Sequence, residues 1–168
     1  TGTHFSTPLV RAGSLRALEY ARAHDVRTIL DIDYRPVVWG LTTPGDGETR
    51  YIPSSEVTRR LQEILAQFDL IVGTEEEFEI AGGTRDLMAA LREVRQLTAA
   101  TLVVKLGPLG CAVVEGAVPE RIEDAFSVTS PRVEVLNVLG AGDAFLAGFL
   151  SGWLRGHDYS SCCRRGNA

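Results

Sequence analysis

Apolar and polar positions alternate in blocks along this chain. Ser6 and Thr7 precede Pro8, an N-cap followed by a Pro at the first helical position. Leu15, Leu18 and Ala21 to Ala23 carry a helical stripe on to His24 and Asp25. Thr28 to Asp33 reads as a buried strand ending in acids, and the Pro- and Gly-rich stretch from Tyr34 to Ile52 as a loop. Val57, Leu61, Ile64, Leu65 and Phe68 sit at helical spacing, which predicts one helix through Phe68. Leu70 to Gly73 is a short strand, and Thr74 to Ala81 a short helix closed by Gly82 and Gly83. Leu87, Leu91, Val94 and Leu97 mark another helix. Thr101 to Leu106 is strand-like and is followed by a turn, Gly107-Pro108-Leu109-Gly110. Cys111 to Val114 and Val118 to Ile122 are expected to form a hairpin, and Gly142 to Leu154 an apolar helix.

Strands alternating with helices predict an α/β fold, with a largely parallel sheet and helices on both faces. In such sheets ligands bind beyond the carboxyl ends of the strands. The polar clusters Asp31 to Arg35, Thr74 to Glu77 and Gly107 to Gly110 all fall at such ends.

Composition narrows the class. The 168 residues are 45% hydrophobic and 23% charged, the balance of a folded globular domain rather than a disordered chain. No apolar run approaches the roughly 20 residues that span a bilayer, so no membrane partner is expected. A net charge of −5 repels phosphate backbones and argues against nucleic acid. Cys111, Cys162 and Cys163 lack metal-ligand spacing and read as reduced, buried thiols, which places the protein in the cytoplasm. His4, His24 and His157 are scattered and match no metal-ligand spacing.

The sharpest cluster is Asn137-Val138-Leu139-Gly140-Ala141-Gly142-Asp143-Ala144-Phe145. A glycine-rich turn opens directly into an apolar helix. Its first N–H groups are free, and the helix end carries about +0.5 charge, so an anion is favoured there. Asp143 beside such an anion would repel it. It makes sense as a general base that takes the proton from a hydroxyl attacking a phosphate. The plainer alternative is a Gly turn with an acid placed favourably on the helix dipole. A dinucleotide fingerprint is disfavoured, because Phe145 occupies its third glycine position.

Asn137 to Phe145 resembles the C-terminal signature of the ribokinase-like carbohydrate kinases, the PfkB family, usually Asp-Thr-x-Gly-Ala-Gly-Asp-x-Phe. The resemblance implies a ribokinase-like three-layer α/β/α fold. It makes Asp143 the catalytic base and Gly140, Ala141 and Gly142 the anion hole. Thr74 to Glu77 resembles the family's Asn-x-x-Glu motif, with Thr74 in place of Asn. This implies that Glu77 organises the water shell of Mg²⁺ near the ATP phosphates. Thr-x-x-Glu is also a capping box, and the two roles are compatible. Lys105-Leu106-Gly107-Pro108-Leu109-Gly110 resembles the strand and turn under the nucleotide, with Gly107 and Gly110 allowing close approach of ATP. Lys105 is then a phosphate partner, or else a lysine snorkelling from the sheet end. Asp31 to Trp39 resembles the Asp-x-Asn-x-Arg segment of sugar-acid and fructose kinases, with Asp33 in place of Asn. It gives Arg35 the phosphoryl group or an acidic sugar to grip, the alternative being an Asp–Arg pair that holds a loop. Asn167-Ala168 resembles the late Asn-Ala beside the nucleotide.

Within the family, Asp31 to Trp39, Val72 to Phe78, Asn137 to Gly140 and Cys162 to Arg164 resemble a sugar-acid branch of inositol breakdown. That implies transfer of the ATP γ-phosphate to the terminal hydroxyl of 5-dehydro-2-deoxy-D-gluconate. 2-Dehydro-3-deoxygluconate and fructose are the alternative acceptors. Relatives often carry Asp where this chain has Asn137, and that charge helps hold a monovalent cation, so little K⁺ dependence is expected. Family members are considerably longer. Residues 1–168 are therefore expected to be one partial domain, carrying the nucleotide side and the base but not the N-terminal strands and β lid. By itself it is expected to have negligible kinase activity and to fold poorly around an open sheet edge. The resemblance also leaves open a homodimer of the full-length protein. A truncated, non-catalytic nucleotide-binding module is the reading from another class.

Overall fold

The computed structural model describes residues 1–43 and 51–168. The Gly-rich part of the expected loop, residues 44–50, lies outside the described residues. Helix α1 (Pro8–Ala23) starts at an extended Thr7 with Pro8 in its first turn. Strand β1 (Ile29–Asp31) follows. Helix α2 (Ser55–Gln62) is capped by Ser54, whose side chain accepts the Val57 N–H. The apolar series that predicts one helix through Phe68 is divided. After Gln62 the chain tightens into a 3₁₀ turn at Leu65–Gln67 and is extended by Phe68. The break redirects the chain into β2 (Leu70–Thr74), and Asp69 accepts the Thr28 N–H at 2.6 Å just before both strands begin. Helices α3 (Glu75–Gly82) and α4 (Leu87–Leu97) come next, then β3 (Thr101–Lys105) and β4 (Cys111–Val114). Strand β5 (Phe126–Val128) and helices α5 (Ala141–Trp153) and α6 (Tyr159–Asn167) complete the order.

The sheet runs β1-β2-β3-β4-β5, the order of the chain itself. β1, β2 and β3 are parallel, as crossovers through helices require, whereas β4 is antiparallel to β3 and β5 to β4. The hairpin expected between Cys111–Val114 and Val118–Ile122 does not form. β4 pairs with β3 across the Gly107 turn and with Phe126–Val128, not with Val118–Ile122. Pro119 lacks the N–H a ladder needs. Val118 and Ile122 turn their apolar side chains onto the core instead.

Alternate strand residues face opposite sides, so the sheet buries two cores. Ile71, Leu102, Val104 and Val114 meet Leu61, Phe78, Leu91 and Val94 from α2, α3 and α4. Leu70, Val72, Val103 and Val113 meet Phe145, Phe149 and Cys163 from α5 and α6. Helices thus cover both faces, which makes three layers. Burying a side chain such as Phe149, fully enclosed here, stabilises the fold by about 1.5–3 kcal/mol. Cys111, Cys162 and Cys163 are all free and buried. Helices α5 and α6 touch backbone to backbone, since a Cβ on Gly148 would lie 2.1 Å from the Arg165 carbonyl oxygen. Among the described residues no helix is long and apolar enough to cross a membrane.

Candidate active site

Three parallel strands end side by side, and each ends in a polar residue of the expected site. β1 ends at Asp31, 7% exposed. Two residues on, Asp33 takes a left-handed backbone (φ +39°), and its Oδ1 accepts the Arg35 Nε–H at 2.8 Å. The Asp–Arg pair named as the alternative to a ligand-gripping Arg35 is formed, while most of the Arg35 side chain stays exposed.

β2 ends at Thr74, which caps α3 through a complete capping box. Thr74 Oγ1 accepts the Glu77 N–H at 3.3 Å, and Glu77 Oε2 accepts the Thr74 N–H at 2.7 Å. The other carboxylate oxygen, Oε1, accepts the Tyr34 N–H at 3.1 Å. Glu77 thus ties the arm after β1 to the start of α3.

β3 ends at Lys105. Its Nζ lies 3.2 Å from Asp31 Oδ1 and 3.6 Å from Glu77 Oε2. Burial pushes the Asp31 and Glu77 carboxyls above the usual carboxylate range, with the Lys105 charge pulling the other way.

The N-terminus of α5 closes the group. Gly140, at φ +77°, is its N-cap, and no side chain caps it. The Ala141 N–H is committed to the Val138 carbonyl at 3.1 Å. The N–H groups of Gly142 and Asp143 have no intrahelical partner so close to a helix start. A Cβ on Gly142 would stand 3.4 Å from Lys105 Nζ, so this turn adjoins the ends of the strands. Asp143 is exposed in the first turn. The bonded Asp33 holds the Arg35 guanidinium above its ordinary pKa, and the charge of Asp143 adds to this. Asp143 and Arg35 therefore stand within electrostatic reach of each other.

The structure brings Arg35, Thr74, Glu77, Lys105, Gly142 and Asp143 to one end of the sheet. Other expected residues have structural partners. Asn137 Oδ1 accepts the Leu139 N–H at 3.1 Å, shaping the turn before Gly140. Asn167 Nδ2 donates to the Val128 carbonyl at 2.9 Å, which fastens α6 to β5. A Cβ on Gly107 (φ +56°) would meet nothing within 4 Å, whereas Gly110 is a packing glycine at φ +99°. A Cβ on Gly110 would lie 2.0 Å from the Val128 carbonyl oxygen. The Asp31–Lys105 pair is the feature that sequence reasoning missed. Its only signal was one acid and one base at the ends of two apolar strands.

Mg²⁺ fits this donor set in one way. Each Glu77 oxygen already accepts an N–H, and among the described residues no three His, Cys, Asp or Glu side chains gather as metal ligands. Glu77 suits an ion carried by a nucleotide and reached through water, the usual habit of Mg²⁺.

The chain is 28% identical to a 5-dehydro-2-deoxygluconokinase of Bacillus velezensis and 26% identical to one of Bacillus subtilis. All of the chain aligns, with 46% and 47% of those proteins, so it spans about half the length of the curated relatives it matches. A Vibrio cholerae fructokinase solved with fructose, ADP and calcium superposes on 98% of the chain and 50% of its own, at TM-score 0.77 and 20% identity. An aminoimidazole riboside kinase from Salmonella enterica, solved with its riboside and an ATP analogue, covers 98% of the chain and 51% of its own, at TM-score 0.75 and 21% identity. These likenesses give the fold as ribokinase-like and partial. Residues 47–168 match the pfkB family carbohydrate kinase profile, and with most of its length so matched the chain belongs to that family.

Proposed function

We propose that these residues form the nucleotide side and catalytic base of an ATP-dependent kinase acting on 5-dehydro-2-deoxy-D-gluconate in the cytoplasm. The observation that carries this reading is Asp143, an exposed carboxylate in the first turn of α5 and within electrostatic reach of Arg35. In this mechanism the terminal hydroxyl oxygen of the sugar acid attacks the γ-phosphorus of ATP. Asp143 takes the hydroxyl proton, the bond to the β-phosphate bridging oxygen breaks, and ADP leaves. Free N–H groups at Gly142 and Asp143, in the turn begun by Gly140 and Ala141, meet the negative charge of the phosphoryl group. Arg35 grips that group or the substrate carboxylate, both of which suit a planar guanidinium. Bound Mg²⁺ would screen the phosphate oxygens, with Glu77 holding its water. Gly107 leaves room for the nucleotide beside β3.

The names of the sequence relatives support this acceptor over other sugars. The test is ADP release by the longest reading frame that contains these residues. 5-Dehydro-2-deoxygluconate, 2-dehydro-3-deoxygluconate and fructose are offered separately. Turnover of the first alone is expected. Turnover of another sugar alone would discard the acceptor but keep the chemistry. ATP binding with no turnover of any would leave a nucleotide-binding module.

A further inference from the structure

Lys105 is set against the Asp31 and Glu77 carboxylates of the site. Its side chain is 13% exposed, that of Asp31 7% and that of Glu77 15%. β1 and β3 are not neighbours, since β2 lies between them. The lysine therefore crosses a strand to reach Asp31, a partner 74 residues away in sequence. It also touches Glu77, whose second oxygen holds the Tyr34 N–H. Tyr34 sits between Asp33 and Arg35, the pair that carries the exposed guanidinium. A chain of contacts thus runs from β3 through Glu77 to the Arg35 arm.

Resting on the kinase reading above, we propose that Lys105 is a positioning residue: bound to Asp31 and Glu77, it sets the Arg35 arm opposite Asp143 and is not a ligand of the ATP phosphates. Its Nζ donates to Asp31 Oδ1 at 3.2 Å and lies 3.6 Å from Glu77 Oε2. A point charge without such partners would be free to follow a phosphate, whereas this one is held on two sides. Its loss leaves two buried carboxylates without their counterion and frees Glu77 to shift, and Tyr34 with it.

The test uses the longest reading frame that contains these residues. Lys105→Met is expected to lower kcat by roughly tenfold to a hundredfold, the cost of a misplaced reacting group. Its ATP dissociation constant, measured by titration calorimetry, should stay within about threefold of the unaltered protein. Lys105→Arg should recover most of the lost kcat, because a guanidinium can still bridge both carboxylates. Adding Asp31→Asn to Lys105→Met should raise the melting temperature above that of Lys105→Met alone, since the two residues are coupled. ATP binding weakened about tenfold or more in Lys105→Met, with kcat little changed, would make Lys105 a phosphate ligand and overturn the proposal. So would a melting temperature that Asp31→Asn fails to raise. The melting and ATP-binding arms need no turnover. If no sugar is phosphorylated, the kinase reading fails while the Asp31–Lys105 coupling is still judged.

Discussion

The Gly148 Cα faces the Arg165 main chain so closely that an added Cβ would stand 2.1 Å from the Arg165 carbonyl oxygen. Helices α5 and α6 meet there with no side chain between them. Gly148→Ala forces them apart. Overpacking of this kind costs about 1–3 kcal/mol. Chemical denaturation should show that loss. An unchanged midpoint would mean that the helices are not packed this closely.

Asp143 is exposed, and its proposed work is proton transfer rather than binding. Asp143→Asn should lower kcat by about 10²–10⁴ and leave ATP affinity nearly intact. Steady-state kinetics and calorimetry on the longest reading frame read both quantities. Full activity in this variant would remove the general base from the mechanism. ATP binding tightened without loss of function would favour a plain binding module.

Tyr34 makes an alkaline prediction. Its hydroxyl donates to the Ile52 carbonyl, and burial pushes the phenol from its ordinary value of 10 up to about 12, with Tyr51 adding to the shift. Between those values the unfolded chain releases this proton while the folded chain keeps it. The folded state then binds more protons, so stability falls as pH rises through this window. Tyr34→Phe loses a hydrogen bond, about 1 kcal/mol at neutral pH. The gap between the two proteins should be constant well below pH 10, then shrink and reverse in sign as pH rises towards 12. Urea unfolding across that range checks this. Curves that stay parallel would contradict it.

Asn137 carries no charge, and its side-chain oxygen already accepts the Leu139 N–H. A monovalent cation gains little from such a group. K⁺ should therefore stimulate turnover little over tetramethylammonium at equal ionic strength. Strong stimulation would show that another oxygen set takes the ion.

Much of this architecture was legible in the residues. Thr74 and Glu77 form the reciprocal cap that their spacing predicts, and Gly140 opens α5. Local chemistry decides such features, so a short stretch of sequence contains them. Strand β5 was not legible. It has three residues, none fully buried, and Phe126 is 48% exposed, so no apolar run marks it. The end of α2 was hidden by Ile64 and Leu65, which continue a helical stripe although the chain has turned. The Asp31–Lys105 contact was hidden by distance in sequence. Only the assembled register brings those two residues to one place.

Because strand order in space repeats strand order in the chain, each described strand after the first has the strand made just before it as a neighbour in the sheet. None of the described strands has to wedge between two described partners made before it. Asp31, Glu77 and Lys105 come together once the third strand is laid down. The segment bearing Asp143 follows all five strands in the chain, so every strand it packs against is made before it.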